Sequence, residues 1–187
     1  MLAEAAEANQ TTPPRADAGS ARFCGLFEAC QPALRRLVAA YVISSADRED
    51  LLQDIAAGIW KSLPGFRGES SERTWIYRIA HNIAIRYAAG VRTRNAREPV
   101  LKGVFDRPST DAGAEATLLL NEGRRILVAG IRELPPADRQ IVTLHLEGLS
   151  AAEIEEITQV SQGAVAARLT RIRQKLSERV RAGGREQ

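Results

Sequence analysis

Aromatic residues, cysteine and histidine are all scarce in this sequence. Only 5% of the 187 residues are aromatic, so a core must be built mainly from Leu, Ile, Val and Ala, which suits helices packed on helices. Cys24 and Cys30 lie six positions apart, a spacing that turns them away from each other on a helix, so a local disulfide is not expected. We interpret both cysteines as small buried apolar residues in a reducing cytosol.

The residue patterns of several enzyme and metal sites are also missing. There is no Cys-x-x-Cys pair, and the two histidines, His81 and His145, stand alone, so a zinc site is not supported. We find no Ser/His/Asp or Cys/His spacing and no Gly-rich phosphate loop. We therefore expect no enzyme activity, no cofactor, no metal and no small-molecule substrate.

Long apolar runs are absent as well. No stretch approaches the roughly 20 apolar residues of a membrane span. The N-terminal sequence MLAEAAEANQTTPPRADAGS has neither the apolar centre nor the basic start of a signal peptide. The sequence therefore predicts a cytoplasmic protein without direct membrane insertion.

Charge is distributed unevenly, although the net charge is only +3. Residues 73–97 contain six arginines and no acidic residue, and residues 161–181 contain five arginines and one lysine against one glutamate. Residues 47–54 reverse the sign, with four acidic residues and one arginine. Two basic segments and an acidic one indicate nucleic acid at two places and a basic protein partner at a third. Solvated helix surfaces are the alternative.

Apolar residues recur at steps of three and four over residues 20–95, which predicts a helical domain after a flexible tail at 1–19. Pro32 predicts a kink or break in the first helix. Asp47 is the predicted N-cap of the second helix, which the segment LPGFRGESS ends. The stripes of the three helices are Phe23, Phe27, Cys30, Leu34, Leu37 and Tyr41; Leu52, Ile55, Ile59 and Leu63; and Ile76, Ile79, Ile83 and Tyr87.

Residues 96–116 lose this periodicity and are predicted to be a linker. A second helical domain follows at 117–181, and residues 182–187 are a tail. Ser150 and Glu153 have the spacing of a capping box, and a short turn then leads to a basic helix capped by Ser161. This pattern predicts a helix-turn-helix. The predicted fold is therefore all-α, with two small helical domains joined by a flexible linker, the C-terminal one a helix-turn-helix.

The sequence DREDLLQDIAAGIWKSLPGFRGESSERTWIYRIAHNIAIRY at 47–87 resembles conserved region 2 of the extracytoplasmic-function (ECF) branch of bacterial sigma factors. The hallmarks are an acidic E-D-L-x-Q-[ED] helix, an F-R-G loop and the segment T-W-[IL]-Y-R-I-A-x-N. They fall here on residues 49–54, 66–68 and 74–82, in order and at the family's spacing. Residues 134–176, LPPADRQIVTLHLEGLSAAEIEEITQVSQGAVAARLTRIRQKL, likewise resemble region 4.

The resemblance implies that the acidic helix binds core RNA polymerase. Charged side chains around apolar contacts give orientation and a fast association. A solvated helix start with acids favoured by the helix dipole is the alternative. The implied polymerase-binding residues are Glu49, Asp50, Leu51, Gln53 and Asp54.

The resemblance also implies that the loop and the third helix capture the minus-ten element as single strands. Capture of an unstacked base needs a pocket, an apolar wall and cations for the phosphates, and an asparagine can read a base edge. Trp75 is interpreted either as a core residue or as a stacking platform. The implied minus-ten residues are Phe66, Arg67, Gly68, Trp75, Arg78, Asn82 and Arg86.

The basic helix after Ser161 is implied to read the minus-thirty-five duplex in the major groove. Arg reads guanine bidentately, Gln reads adenine, and Ala can contact a thymine methyl group. A solvated basic helix is the alternative. The implied residues are Ser161, Gln162, Gly163, Ala164, Arg168 and Arg171.

The resemblance as a whole implies a sigma factor that binds core RNA polymerase, recognises promoter DNA and initiates transcription, with an anti-sigma factor as a further partner. One alternative is a stand-alone helix-turn-helix regulator, which leaves the region 2 motifs unused. Another is a degenerate sigma-like regulator that acts mainly through protein contacts. The second domain departs from the family pattern at positions that favour this last alternative, namely Glu155, Gln159, Ala166 and Ala167.

Overall fold

The computed structural model describes residues 15–97 and 114–183 of the chain. Most of each predicted tail and most of the predicted linker therefore lie outside the described residues. Those two ranges contain α-helices and no strand, so the predicted all-α fold is confirmed. The helices are α1 (Arg15–Tyr41), α2 (Ser45–Ser62), α3 (Glu72–Arg97), α4 (Ala114–Glu133), α5 (Pro136–Leu146), α6 (Ala151–Thr158) and α7 (Gln162–Gly183).

The beginning of the chain differs from the sequence prediction in two ways. Helix α1 begins at Arg15, inside the segment predicted as a tail, and continues through Pro32 to Tyr41, so the alternative of a break was wrong. Proline removes the hydrogen bond to the carbonyl of residue i−4, which is Glu28 here. Glu28 and Pro32 are both exposed, so water can hydrate that carbonyl and the helix tolerates the proline.

The start of α2 is set by Ser44 rather than by Asp47, so the predicted N-cap was wrong. The Ser44 hydroxyl accepts a hydrogen bond from the Asp47 backbone N–H at 3.1 Å. Asp47 lies in the first turn, where a negative charge is favoured by the helix dipole. The carboxyl group thus assists the helix start electrostatically while the serine caps it.

Helices α1, α2 and α3 pack around one part of the apolar core. Its fully buried members include Leu34, Leu37, Leu51, Ile55 and Ile76. Gly58 permits a close approach of α2 to α3, because a Cβ at this position would lie 2.4 Å from Cδ1 of Ile83. This approach brings the acidic helix and the basic helix of the domain side by side.

Helices α4 to α7 bury their apolar side chains in the same continuous cluster. Val165 and Ile172 of α7 are buried members of this cluster, together with Ile141 of α5 and Ile154 of α6. Gln159 ends α6 in the left-handed conformation, at φ 59°. This backbone region favours glycine, so Gln159 departs from the usual residue of such a turn.

The predicted capping box at the start of α6 is confirmed, and it makes stability depend on pH. The Ser150 hydroxyl accepts from the Glu153 N–H, while the Glu153 carboxylate accepts from the Ser150 N–H at 2.8 Å. The hydrogen bond from the Ser150 backbone is the main reason that the pKa of Glu153 is lowered. A lowered folded-state pKa stabilises the protein at pH values above the unfolded-state pKa, and protonation removes that contribution as the pH falls through the folded-state pKa.

We therefore expect Glu153→Gln to lower the free energy of unfolding by about 0.5 kcal/mol at neutral pH, because the charge near the helix start is lost, and by much less in acid. Chemical denaturation of both proteins at neutral and acidic pH measures the difference. Glu178→Gln on α7 is the matched control. A difference that persists unchanged in acid would contradict the role of the Glu153 charge.

The two helical domains contact each other directly. Helix α3 packs against α5 and α6, and α1 packs against α4 and α5. The Arg132 side chain of α4 donates a hydrogen bond to the Ala39 carbonyl of α1 at 2.8 Å. The Arg139 guanidinium of α5 lies over the ring of Tyr41, 5.4 Å from its centroid. Apolar, cation–π and hydrogen-bonding contacts therefore join the domains.

Candidate polymerase and nucleic-acid surfaces

The acidic face of α2 is exposed, except at one of its five predicted positions. Asp50, Gln53 and Asp54 are open to solvent, and so is Glu49, whose carboxylate pairs with Arg35 of α1 at 2.9 Å. Leu51 is fully buried in the core. Its inclusion among the surface residues is therefore corrected, because α2 is covered from two sides by α1 and α3.

Trp60 is an exposed apolar residue that the sequence reasoning missed. It lies on α2 beyond Gln53 and is 45% exposed. Its ring meets the ring of Phe23 of α1 edge to face at a centroid distance of 5.3 Å. The signal was available, since Trp60 falls outside the buried stripe of Leu52, Ile55 and Ile59. Trp60 lies two turns after Gln53 on the same helix, and exposed aromatic residues of this kind are enriched at protein interfaces.

The loop between α2 and α3 forms a pocket of about 360 Å³. The Phe66 and Trp75 rings contact each other at 4.9 Å between centroids, and both side chains are half-buried. Gly68 adopts φ 75°, which explains a glycine at this turn. Trp75 packs on the core and also lines the pocket, so its two interpretations are compatible. The pocket residues are Gly65, Phe66, Arg67, Glu69, Ser70, Trp75 and Arg78.

Asn82 and Arg86 line a different depression, of about 440 Å³, between α2 and α3. Gly58, Ser62 and Ile83 complete much of its wall, and no residue is shared with the loop pocket. Both polar side chains are exposed. The predicted minus-ten residues therefore divide into two neighbouring groups along α3 instead of converging on one pocket.

His81 lies inside the core on the other side of α3. Its Nδ1 is 3.0 Å from the Tyr41 hydroxyl, and burial lowers the pKa of His81 to about 3. The imidazole is therefore neutral at physiological pH.

The exposed side of the helix-turn-helix carries most of the predicted recognition residues. Ser161, Gln162, Gly163 and Arg171 are exposed, and Ala164 is partly exposed. Arg168 is 33% exposed at its side chain and forms an ion pair with Asp138 of α5 at 3.2 Å.

The structure also shows the surroundings of the residues that depart from the family pattern. Ala166 and Ala167 are exposed on α7. Gln162 donates to the Glu155 carboxylate at 2.8 Å, so the unusual glutamate of α6 contacts the first residue of α7. Helix α7 therefore presents Gln162 and Arg168 already bonded to carboxylates.

No group of three or more His, Cys, Asp or Glu side chains that could hold a metal ion occurs within residues 15–97 and 114–183. Across the same part of the chain, none of the helices has the length and apolarity needed to cross a bilayer.

The sequence matches two family descriptions in the order that the motifs predict. Residues 26–94 match Sigma-70 region 2, and residues 124–176 match Sigma-70 region 4. These matches define the chain as a sigma factor of the sigma-70 class.

Curated relatives specify the branch. The ECF RNA polymerase sigma-E factor of Haemophilus influenzae is 33% identical over 147 residues, which cover 74% of this chain and 77% of that protein. The protein of the same name from Escherichia coli K12 is 32% identical over 153 residues, covering 77% and 78%. The chain therefore belongs to the ECF sigma factor family.

Two solved structures share the fold. The sigma factor RpoE from Bartonella quintana, in complex with the anti-sigma factor NepR, has a TM-score of 0.64 at 22% identity and covers 86% of this chain and 97% of its own. CnrH in complex with the cytosolic domain of CnrY has a TM-score of 0.63 at 23% identity, with 89% and 94% covered. The similarity extends over both helical domains.

Proposed function

We propose that this ECF sigma factor binds core RNA polymerase, recognises promoter DNA and initiates transcription through three separate surfaces, without catalysing a reaction itself. The presence of regions 2 and 4 in one chain, over residues 26–94 and 124–176, is the observation that carries this proposal. A stand-alone helix-turn-helix regulator would leave region 2 without a use. Because its polymerase and the chromosome lie in the cytoplasm, the protein acts there.

The polymerase-binding surface is the exposed side of α2. Asp50, Gln53 and Asp54 give a negative rim, and Trp60 gives an apolar contact beside it. Such a rim favours a basic partner surface and speeds its correct docking. Leu51 supports the surface from within the core.

The minus-ten strand is held along α3. The loop pocket offers the Phe66 and Trp75 rings for stacking and the Arg67 and Arg78 guanidinium groups for phosphates. Asn82, in the neighbouring depression, offers a donor and an acceptor to a second base edge. Melting is favoured because the strand binds to these groups only after its bases leave the stack.

The minus-thirty-five duplex is read by α7, with its N-terminal residues and Arg171 directed to the groove. Phosphates contact the more peripheral cations of the same helix and position it. Gln162, Arg168 and Arg171 are the polar readers.

Run-off transcription tests the function directly. Purified protein and core RNA polymerase are incubated with a library of genomic fragments, and core polymerase alone is the control. Specific transcript starts that depend on the added protein are expected. Core binding without any specific start would favour the degenerate regulator, which the exposed Ala166 and Ala167 support.

Asn82→Ala is expected to reduce open-complex formation by about three- to tenfold while leaving core binding unchanged, since one base-edge contact is lost. Permanganate reactivity of unpaired thymines near the transcript start measures this. Gln174→Ala, which also removes an exposed amide but on α7, is the control. Reactivity equal to that of the wild-type protein would make Asn82 a helix-surface residue only.

An anti-sigma factor is a further proposed partner. The Bartonella quintana relative of similar fold was solved with the anti-sigma factor NepR. Co-purification of this protein from its own cells, with and without the conditions that activate transcription, would detect a stable inhibitory partner.

A further inference from the structure

Two faces of helix α3 contact other parts of the protein, and Arg78 belongs to both of them. The pocket face carries Trp75 and Arg78 toward the loop. The other face carries Arg73, Thr74, Tyr77 and Arg78 toward the helix-turn-helix domain, as the spacing of four between Arg73 and Tyr77 and between Thr74 and Arg78 requires on a helix. Every side chain of this second face contacts a group on or beside α5 and α6.

Glu147, at the end of α5, is the centre of these contacts. Its carboxylate receives two hydrogen bonds from the Arg36 guanidinium of α1, at 2.8 and 2.6 Å, and one from the Tyr77 hydroxyl at 3.3 Å. Its backbone carbonyl accepts a hydrogen bond from Arg73. The Glu147 side chain is only 8% exposed. One residue of region 4 is thus bonded to both α1 and α3 of region 2.

Helix α6 adds two more carboxylates to the same face. Glu153 accepts from the Thr74 hydroxyl at 3.4 Å, and Glu156 forms an ion pair with Arg78. Burial and the neighbouring Glu147 raise the pKa of Tyr77 to about 12, so its hydroxyl remains a donor. Three carboxylates of region 4 therefore bond two guanidinium groups and two hydroxyl groups of region 2, and a backbone carbonyl bonds a third guanidinium group.

We propose that region 4 folds back on region 2 and competes with DNA from within the same chain. In this arrangement Glu147 holds the two domains together, and Glu156 binds the guanidinium group of Arg78. The proposal rests on the proposed function, which assigns Arg78 to the phosphates of the minus-ten strand. Carboxylate and phosphate oxygens bind a guanidinium group in the same way, so Glu156 and a strand phosphate compete for Arg78. Opening of the domains frees Arg78.

The contacts differ in what they contribute. The Arg78–Glu156 pair is 38% and 42% exposed, and pairs of this kind are weak and screened by salt. Glu147 is nearly buried, so loss of its cation partner leaves an unpaired charge away from water. Among the polar contacts of this face, Glu147 therefore contributes most to holding the domains together, whereas Glu156 controls the availability of Arg78.

Small-angle X-ray scattering of the full chain tests the fastening. Glu147→Arg is expected to increase the radius of gyration, because the new arginine at position 147 repels Arg36. The exchange Arg36→Glu with Glu147→Arg is expected to restore the compact value, and Glu178→Arg is the charge-matched control. Circular dichroism checks that the helices persist. A radius unchanged by Glu147→Arg, or an exchange that fails to restore it while the helices remain, would overturn the role of Glu147.

The competition is tested with a fluorescent single-stranded dT20 probe. Glu156→Gln is expected to tighten its binding by about three- to tenfold at low salt, and by less at high salt, relative to Glu178→Gln, which removes the same charge elsewhere. Equal effects of the two variants would overturn competition at Arg78.

The proposed function fails in a different way. If transcription with core polymerase shows no specific start while Glu147→Arg still opens the chain and the exchange still closes it, the fastening stands and promoter recognition does not. If the chain opens and transcription succeeds but Glu156→Gln and Glu178→Gln bind the probe equally, the competition is refuted.

Discussion

Replacement of Asp50 and Asp54 by arginine is expected to lower the affinity for core RNA polymerase by about 10- to 100-fold, with the free energy of unfolding little changed. Both side chains are exposed on α2, so the substitutions remove no core contact. They reverse the sign of a rim that is proposed to meet a basic surface. The association rate should fall most, because long-range attraction becomes repulsion.

The control has to change the overall charge by the same amount. Glu28→Arg combined with Glu178→Arg does so at exposed positions on α1 and α7, outside α2 itself. Glu49 is left intact because its pair with Arg35 joins α2 to α1. Pull-down and surface plasmon resonance with core enzyme measure the affinity. Equal losses for the test and control proteins would show that net charge, and not the α2 face, determines binding.

Helical periodicity predicted most of the core residues, but it did not predict that α2 is buried on more than one side. The stripe of Leu52, Ile55 and Ile59 is buried as expected, yet Leu51 beside it is buried too. A helix that packs against one neighbour buries one stripe, whereas α2 packs against both α1 and α3. The motif identified Leu51 as part of a functional segment, and only the packing shows which side of α2 it occupies.

The division of the predicted minus-ten residues likewise depends on geometry that spacing does not contain. Arg78, Asn82 and Arg86 recur every four residues, so the sequence places them on one side of α3. The pocket around Arg78 is closed by the loop, whereas the depression around Asn82 and Arg86 is closed by α2 at Gly58. The loop conformation and the close helix approach decide this, and neither follows from helix period alone.

The contacts between the two domains could not be predicted from the sequence, because they join residues that are far apart in the chain. Arg36 and Glu147 are 111 positions apart. Periodicity predicts which side of a helix is polar, but it does not identify the partner of a charged side chain across a linker. Capping, by contrast, acts within one turn, and the Ser150–Glu153 box was predictable for that reason.

The structure sharpens the question of whether region 4 reads sequence through Arg168. Its guanidinium pairs with Asp138, and both side chains are partly exposed, at 33% and 23%. Such a pair contributes at most about 1 kcal/mol, so it can orient Arg168 without preventing a bidentate contact to guanine. The exposed alanines at 166 and 167 leave few other polar readers near it. Any specificity of α7 should therefore depend strongly on Arg168.

We expect Arg168→Ala to cost about 1–3 kcal/mol of discrimination at one base pair of the minus-thirty-five element. The measurement is competition binding of the holoenzyme to single-base variants of that element at two salt concentrations. Arg173→Ala is the control, because Arg173 is exposed and is expected to meet phosphates or solvent. Loss of a phosphate contact would weaken all sequences alike and reduce the salt slope by about one. Asp138→Asn keeps Arg168 and removes its pair, so it should change discrimination by less than Arg168→Ala does. A uniform loss for Arg168→Ala, like that of the control, would contradict base reading and favour a regulator that acts mainly through protein contacts.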